Sequence, residues 1–340
     1  MAVLYVASQG ASLRLDAGRL VVRKEEQTLA VAHLPLVDAV ALVGRVNVTT
    51  PLVLRLLRRG VVVSCLGRDG RFRGRFAPPL LESVFPRLGQ ATCLANPVAR
   101  LLLARSVVAR KIEAMIDVLE RFAGNHPSRV DRSILQKLAA HRDSLDRCQG
   151  LDALRGVEGA AAAAYFKAFG DMTPPTLPFP GRTGRGARDP INALLNFAYA
   201  LLVNEAIAAI EAASLDPWCG FYHEPRTGRP SLALDLIEPY RHVVADRFVL
   251  TLLNKRRIRP DMFHQTSRGA RLRDAACRRC IESYEQAMFR KAPAWLARNK
   301  DICLREALWR TCERLAGFMR RAWERQKKGQ APLGRSEEAA

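Results

Sequence analysis

Acidic side chains are scarce in this chain. Against 54 Lys plus Arg there are only 33 Asp plus Glu in 340 residues, so the formal net charge is +21 and the isoelectric point is near 10.4. Long apolar runs are missing as well: Arg, Lys or Asp interrupts each hydrophobic stretch, Val37 to Val63 included, before it reaches the ~18 uncharged residues of a membrane span. The opening residues MAVLYVASQGASLRLD lack a basic segment followed by a long apolar block, so no secretory signal is read and a cytoplasmic protein is expected. Also absent are GxSxG, GxxxxGK[ST], HExxH and a GxGxxG between a strand and a helix, which removes support for a hydrolase elbow, a P-loop, a zincin and a Rossmann site. The eight cysteines hold one CxxC, Cys277 and Cys280, but Cys303 and Cys312 are separated by eight residues where a structural zinc site needs a second tight pair. They read as reduced thiols, with Cys277 and Cys280 on one buried helix face. No internal repeat is visible.

What the chain does have is apolar content enough for a large core. Hydrophobic residues make up 49% and charged residues 26%, which excludes global disorder and, at this length, suggests roughly two domains. The charge is unevenly spread. Residues 1–80 carry 12 basic and 5 acidic side chains, residues 81–250 carry 20 and 18, and residues 251–330 carry 21 and 8. The last segment holds Lys255, Arg256, Arg257 and Arg259, then Arg268, Arg271 and Arg273, Arg278 and Arg279, and Arg320 and Arg321, interleaved with Phe263, Tyr284, Phe289, Trp295, Trp309, Phe318 and Trp323. Most of the aromatics belong to a core, but so much uncompensated positive charge repels itself unless a polyanion is present. The expected partner is therefore a nucleic acid, ahead of an anionic membrane surface.

The pattern divides the chain into a small β-rich, sandwich-like domain and a larger all-α domain, an α+β organisation. Residues 1–80 alternate as short strands do, in AVLYVAS, SLRL, RLVVRKE, TLAVAHL, DAVALVG and VVVSCLG. One helix interrupts them, opened by Thr49 or Thr50 with Pro51 and closed at Gly60, and Asp69-Gly70 predicts a type I′ hairpin turn. Residues 81–93 read as a linker, 94–330 as the helical domain, and 331–340 as a disordered tail. Within the helical part, residues 173–190 hold five Pro and three Gly and predict a long loop carrying Arg182, Arg185 and Arg188, suited to clamping DNA or to solubility alone.

Two passages place polar residues where core periodicity does not call for them. Glu158 lies in LRGVEGAAAAAYF, followed by residues small enough for another backbone or a ligand to come close. In DPWCGFYHEPRTGRPSLALDLIEPYRHVVADRFV, His223 sits in a Gly/Pro-rich loop, Ser231 can cap a helix, and Asp235 and Glu238 lie i, i+3 on one face of it. Leu232, Leu234, Leu236 and Ile237 make that helix largely buried, so the carboxylates need neutralising, by Arg241 or by a bound divalent cation. Carboxylates with one imidazole suit Mg²⁺ or Mn²⁺, the nitrogen favouring Mn²⁺. Spacing alone does not choose His223 over His242, which lies i+4 from Glu238. Pro239 predicts a kink or break beside Glu238.

Together, NALLNFAYALL (192–202), DPWCGFYHEPRTGRPSLALDLIEPYR (216–241), Glu158, and LVGRVNVTTPLVLRLLRRGVVVSCLGRDGRFRG in the first domain resemble the CRISPR-associated adaptation integrases, the first-numbered family of that series. The resemblance covers nearly the whole chain in order, and its most specific part is His-x4-Gly-Arg-x-Ser-Leu-x-x-Asp-Leu-x-Glu. It implies a β-rich domain that forms a homodimer and a helical domain that binds Mg²⁺ or Mn²⁺ through Glu158, His223 and Glu238, with Asp235 assisting the metal or orienting DNA. It further implies double-stranded DNA substrates, namely spacer precursor and CRISPR repeat, and a small ferredoxin-like partner nuclease. Departures from the family pattern are Pro239, His242 after the Arg, and Phe197-Ala198-Tyr199. The implied reaction is metal-assisted phosphoryl transfer, hydrolytic or joining. The competing readings are a nonenzymatic DNA- or RNA-binding scaffold and a structure-selective nuclease that does not integrate.

Overall fold

The computed structural model describes residues 2–78, 83–184, 187–267 and 269–332. In its N-terminal part the alternating segments become β1 (Val3–Val6), β2 (Ser12–Asp16), β3 (Arg19–Lys24), β4 (Gln27–His33), β5 (Ala39–Val43) and β6 (Asn47–Val48), then α1 (Thr50–Arg58), β7 (Val62–Leu66) and β8 (Phe72–Phe76). They form two four-stranded sheets, ordered β1-β5-β7-β8 and β4-β3-β2-β6. Period-two alternation gives each sheet one apolar face. Val6, Val40, Leu42 and Val63 from the first sheet and Leu13, Leu20 and Val22 from the second share one core with Leu52 and Leu56 of α1. Thr49 precedes α1, Pro51 lies in its first turn, and Gly60 leaves it at φ +75°.

The β7–β8 connection differs from the type I′ turn expected. Gly70 has φ +76° but Asp69 stays out of the left-handed region. Gly70 N–H donates to the Gly67 carbonyl at 2.9 Å and Gly67 N–H to Arg71 at 2.8 Å, which makes a three-residue loop with glycine in its last position. A Cβ on Gly70 would stand 3.1 Å from the Phe197 ring, so this turn packs closely against the helical region.

That region begins earlier than the sequence suggests. The linker read over 81–93 is helical from Phe85, as α2 (Phe85–Ala95), while 81 and 82 lie outside the described residues. Pro86 and Gly89 depress the helical signal there. Next come α3 (Pro97–Asn125), α4 (Ser133–Asp143), α5 (Leu151–Met172), α6 (Pro190–Ala212), α7 (Ser231–Tyr240) and α8 (Arg247–Asn254). A hairpin of β9 (Phe263–Thr266) and β10 (Gly269–Leu272) interrupts the helices, so this part is not purely helical. The chain then runs through α9 (Asp274–Met288), α10 (Ala294–Ala297) and α11 (Leu304–Lys327). Most of the tail read over 331–340 lies outside the described residues.

Gly89 lets α2 cross α11 closely, since a Cβ there would fall 1.7 Å from the Met319 carbonyl oxygen. Backbone cannot yield as a side-chain tip can. Gly89→Ala is expected to lower the unfolding free energy by about 1–3 kcal/mol, read as a shift in the urea midpoint; an unshifted midpoint would show that the two helices separate freely.

α6 is the backbone of the helical core. Its 23 residues are long and apolar enough to cross a membrane by length and composition, yet 83% of its most apolar window is buried inside the protein, as in a core helix. Asp189 caps it by accepting from Asn192 N–H at 2.8 Å. Cys277 and Cys280 are buried on α9, as read from the sequence, and burial pushes the Cys277 thiol up to about 12 with help from Asp274.

Candidate metal centre

Helices α3, α5 and α7 converge on one polar cluster. Glu158 comes from α5 and Glu238 from α7, and both reach the same ammonium, that of Lys111 on α3: Nζ lies 2.5 Å from Glu158 Oε1 and 2.6 Å from Glu238 Oε2. His223, on the loop between α6 and α7, turns Nε2 toward Glu238 Oε1 at 3.7 Å. The three residues that the family resemblance singles out are thus brought together, with a lysine between the two carboxylates.

The loop is held by Asp235, which is fully buried one helical turn before Glu238. Its Oδ1 accepts from His223 N–H at 2.8 Å and pairs with His223 Nδ1 at 2.6 Å, while Oδ2 accepts from Phe221 N–H at 2.7 Å and Tyr222 N–H at 3.0 Å. With the proton on Nδ1 facing the carboxylate, Nε2 keeps its lone pair, the arrangement by which an outer carboxylate orients a metal-binding imidazole. Asp235 is therefore committed to the loop. Ser231 departs from its expected role: Pro230 precedes the helix as its cap, and Ser231 Oγ instead donates to the Glu224 carbonyl at 3.1 Å, pinning the residue after His223. Gly220 is needed where the loop passes α7, because a Cβ would meet the Ser231 carbonyl carbon at 2.6 Å.

Pro239 neither ends α7 nor turns Glu238 to solvent. The helix runs through it to Tyr240 and continues as a π-helical turn over Arg241–Asp246, the kind of insertion that re-aims side chains near functional sites. It carries His242 away from Glu238: Nδ1 pairs with buried Asp246 Oδ2 at 2.8 Å, and Tyr165 and Tyr199 donate to the same carboxylate at 2.9 and 2.5 Å. The two histidines between which spacing did not choose are thus separated in space, with His223 beside the carboxylates and His242 in another buried network.

Charge around Glu238 is strongly positive. Arg241, the partner expected from the sequence, reaches Oε1 at 3.3 Å and stacks over the Tyr199 ring. Burial alone would raise the Glu238 carboxyl, but Arg241, Lys111 and His223 outweigh it and hold the group well below the usual carboxylate range. Burial likewise works against the Lys111 ammonium, and Glu238 and Glu158 overcome it, leaving the lysine more basic than usual. Tyr222 donates to Glu158 Oε2 at 3.3 Å. Two carboxylates and an oriented imidazole nitrogen form a donor set suited to Mg²⁺ or Mn²⁺. Glu238 Oε2 is buried, and its contact is with the Lys111 ammonium at 2.6 Å. Among the described residues no three His, Cys, Asp or Glu side chains close into a metal shell as they stand, and Lys111 is what lies between.

Sequence reasoning passed over Lys111, although a signal was present. Ala104, Val108, Met115 and Val118 are buried at heptad-like spacing on α3, and Lys111 falls on that stripe. A lysine at a core position demands a partner.

The other basic candidates separate by environment. Arg182 is not free to clamp DNA: its guanidinium donates to Asn192 Oδ1 at 2.9 Å and Asn196 Oδ1 at 2.7 Å and stacks over Tyr199, fastening the 173–189 loop to α6. Arg188 and Arg271 are exposed on neighbouring segments, since Ala270 N–H donates to the Ala187 carbonyl and Gln265 to that of Arg188. Lys255, Arg256, Arg257 and Arg259 are exposed in the turn after α8, where the Arg257 carbonyl accepts from Arg279 of α9. Arg68, on the β7–β8 turn, reaches Asp274 at the start of α9 at 3.2 Å. Basic residues distant in sequence thus meet around the β9–β10 hairpin. Arg185 and Arg268 lie outside the described residues.

Residues 4–286 match the family model of the CRISPR associated protein Cas1. The chain belongs to the Cas1 family. It is 34% identical over 285 residues to a CRISPR-associated endonuclease Cas1 of Thermus thermophilus, covering 83% of each chain. Against a Cas4/Cas1 fusion of Geobacter sulfurreducens it is 36% identical over 84% of its own length, and spans about half of that longer protein, at 52%. Among solved structures, a casposase bound to integration product superimposes with TM-score 0.83 at 23% identity over 97% of this chain and 92% of that one, a likeness of fold. A Cas6-RT-Cas1–Cas2 complex gives TM-score 0.76 at 25% identity over 97% of this chain and 35% of the longer one.

Proposed function

We propose that Glu158, His223 and Glu238 hold a divalent cation, Mg²⁺ or Mn²⁺, and that around it this Cas1 performs phosphoryl transfer on double-stranded DNA, joining spacer 3′-OH ends to a CRISPR repeat. As a member of the Cas1 family the chain is an endonuclease and integrase of CRISPR adaptation. The observation that carries the site assignment is the meeting of two carboxylates from separate helices with an imidazole whose Nδ1 is fixed by a buried aspartate. When bound, the cation supplies charge that offsets the oxyanion developing on the scissile phosphate and favours ionisation of the attacking hydroxyl. The protein's own part is electrostatic and positional. Asp235 fixes the imidazole, Arg241 and Lys111 keep Glu238 ionised, and Arg188, Arg271 and the Lys255–Arg259 turn offer backbone-phosphate contacts that carry no sequence information.

The Cas4 fusion among the relatives and the Cas1–Cas2 complex among the structural neighbours support assembly with other CRISPR-associated proteins, the small ferredoxin-like nuclease first among them. The exposed Leu29 and Val31 on edge strand β4 support a homodimer built through the N-terminal sheets. Glu158→Ala is expected to remove Mn²⁺-dependent strand cleavage and joining while leaving duplex affinity within about twofold, because phosphate contacts dominate binding. Full metal-dependent activity in that variant would move the site elsewhere, and binding with a steep salt dependence but no response to Mn²⁺ would leave a scaffold.

A further inference from the structure

We propose that Lys111 is the internal counter-ion of the Glu158–Glu238 pair and that the divalent cation enters by exchanging with its ammonium, so that this lysine sets how tightly the metal is held. The inference rests on the metal reading above and adds a residue outside the proposed ligand set. Lys111 belongs to the buried stripe of α3, and its side chain is only 12% exposed. A lysine there is tolerated only if its charge is matched, and the matching groups are the two carboxylates assigned to the metal.

The geometry makes ammonium and metal alternatives. Nζ touches one oxygen of each carboxylate, at 2.5 and 2.6 Å, so a cation held by both carboxylates would compete with it. The remaining oxygens have other partners: Tyr222 on Glu158 Oε2, and Arg241 on Glu238 Oε1. Those contacts can persist while Lys111 leaves, so the carboxylates stay oriented during the exchange. Lysine suits the part because its charge is a compact, readily hydrated point on a flexible four-carbon stem, whereas a planar guanidinium fork would lock the pair.

The test is calorimetric titration of Mn²⁺ into the DNA-free full chain, comparing wild type with Lys111→Met and Lys111→Gln, alongside melting with and without Mn²⁺. Removing the competing charge is expected to tighten Mn²⁺ binding by about tenfold or more in both variants, and Mn²⁺ is expected to raise their melting temperatures more than that of wild type. A Lys111→Met chain that folds only when Mn²⁺ is added supports exchange as well. Mn²⁺ affinity in Lys111→Gln equal to or weaker than wild type would overturn the proposal and leave Lys111 a structural ion pair. If wild type and both variants all fail to take up Mn²⁺, the metal reading falls with it, a result distinct from equal uptake by all three.

Discussion

Asp235→Asn is expected to weaken Mn²⁺ binding by about 10- to 100-fold and to lower the unfolding free energy by about 3–5 kcal/mol. The reason lies in the symmetry of the contacts. Both carboxylate oxygens accept from N–H groups, Oδ1 from His223 and Oδ2 from Phe221 and Tyr222. An amide cannot satisfy that pattern in either orientation, because its NH₂ must point at N–H donors whichever way it flips. With the side chain fully buried, water cannot relieve the mismatch. The loop between α6 and α7 would therefore shift, and the His223 imidazole would lose the partner that fixes its tautomer. Urea unfolding and Mn²⁺ titration measure the two effects separately. A variant that keeps wild-type values for both would mean that Gly220 and Ser231 suffice to hold the loop.

His223→Ala is the second large effect, and it separates chemistry from folding. The imidazole is only 18% exposed and makes its bond to Asp235, so truncation leaves one buried carboxylate oxygen with a single donor, His223 N–H. Stability should fall by about 1–3 kcal/mol. Strand transfer should fall by about 10³-fold or more, the equivalent of several kcal/mol of transition-state stabilisation withdrawn with the nitrogen donor. Duplex affinity should stay within about twofold, since the exposed basic residues around the hairpin and after α8 are untouched. A parallel loss of DNA binding would show that His223 orders the DNA surface rather than the reacting centre.

Much of this was legible because sequence and packing agree locally. Alternation in AVLYVAS, RLVVRKE and TLAVAHL leads directly to β1, β3 and β4, and Thr49 with Pro51 marks the start of α1, because both signals are local in the chain. The acidic positions on α7 stood out for the complementary reason that buried helices do not carry unmatched carboxylates, whereas Glu158 on α5 was marked by the small residues that follow it. What stayed hidden depends on neighbours distant in the chain. Whether residues 85–93 form a helix is decided by α11, more than 200 positions away, against which Gly89 packs. Arg182 looked like a DNA contact because its partners, Asn192, Asn196 and Tyr199, are ordinary residues of a core helix. The π-helical turn that parts His242 from Glu238 has no sequence signature beyond Pro239. Lys111 was readable in principle from its place between Val108 and Met115, but one off-pattern residue in 29 helical ones signals little until the carboxylates are seen beside it.

The most direct measurement is strand joining by the purified chain, with and without its small partner nuclease, on duplexes bearing 3′-OH ends and a supercoiled repeat plasmid, in Mn²⁺ or in EDTA, for wild type and His223→Ala. Joined products that form in Mn²⁺ with wild type, and in neither EDTA nor the variant, are the predicted result. Equal joining by His223→Ala, or metal-independent binding and nothing more in every lane with competent DNA and partner present, would contradict the account.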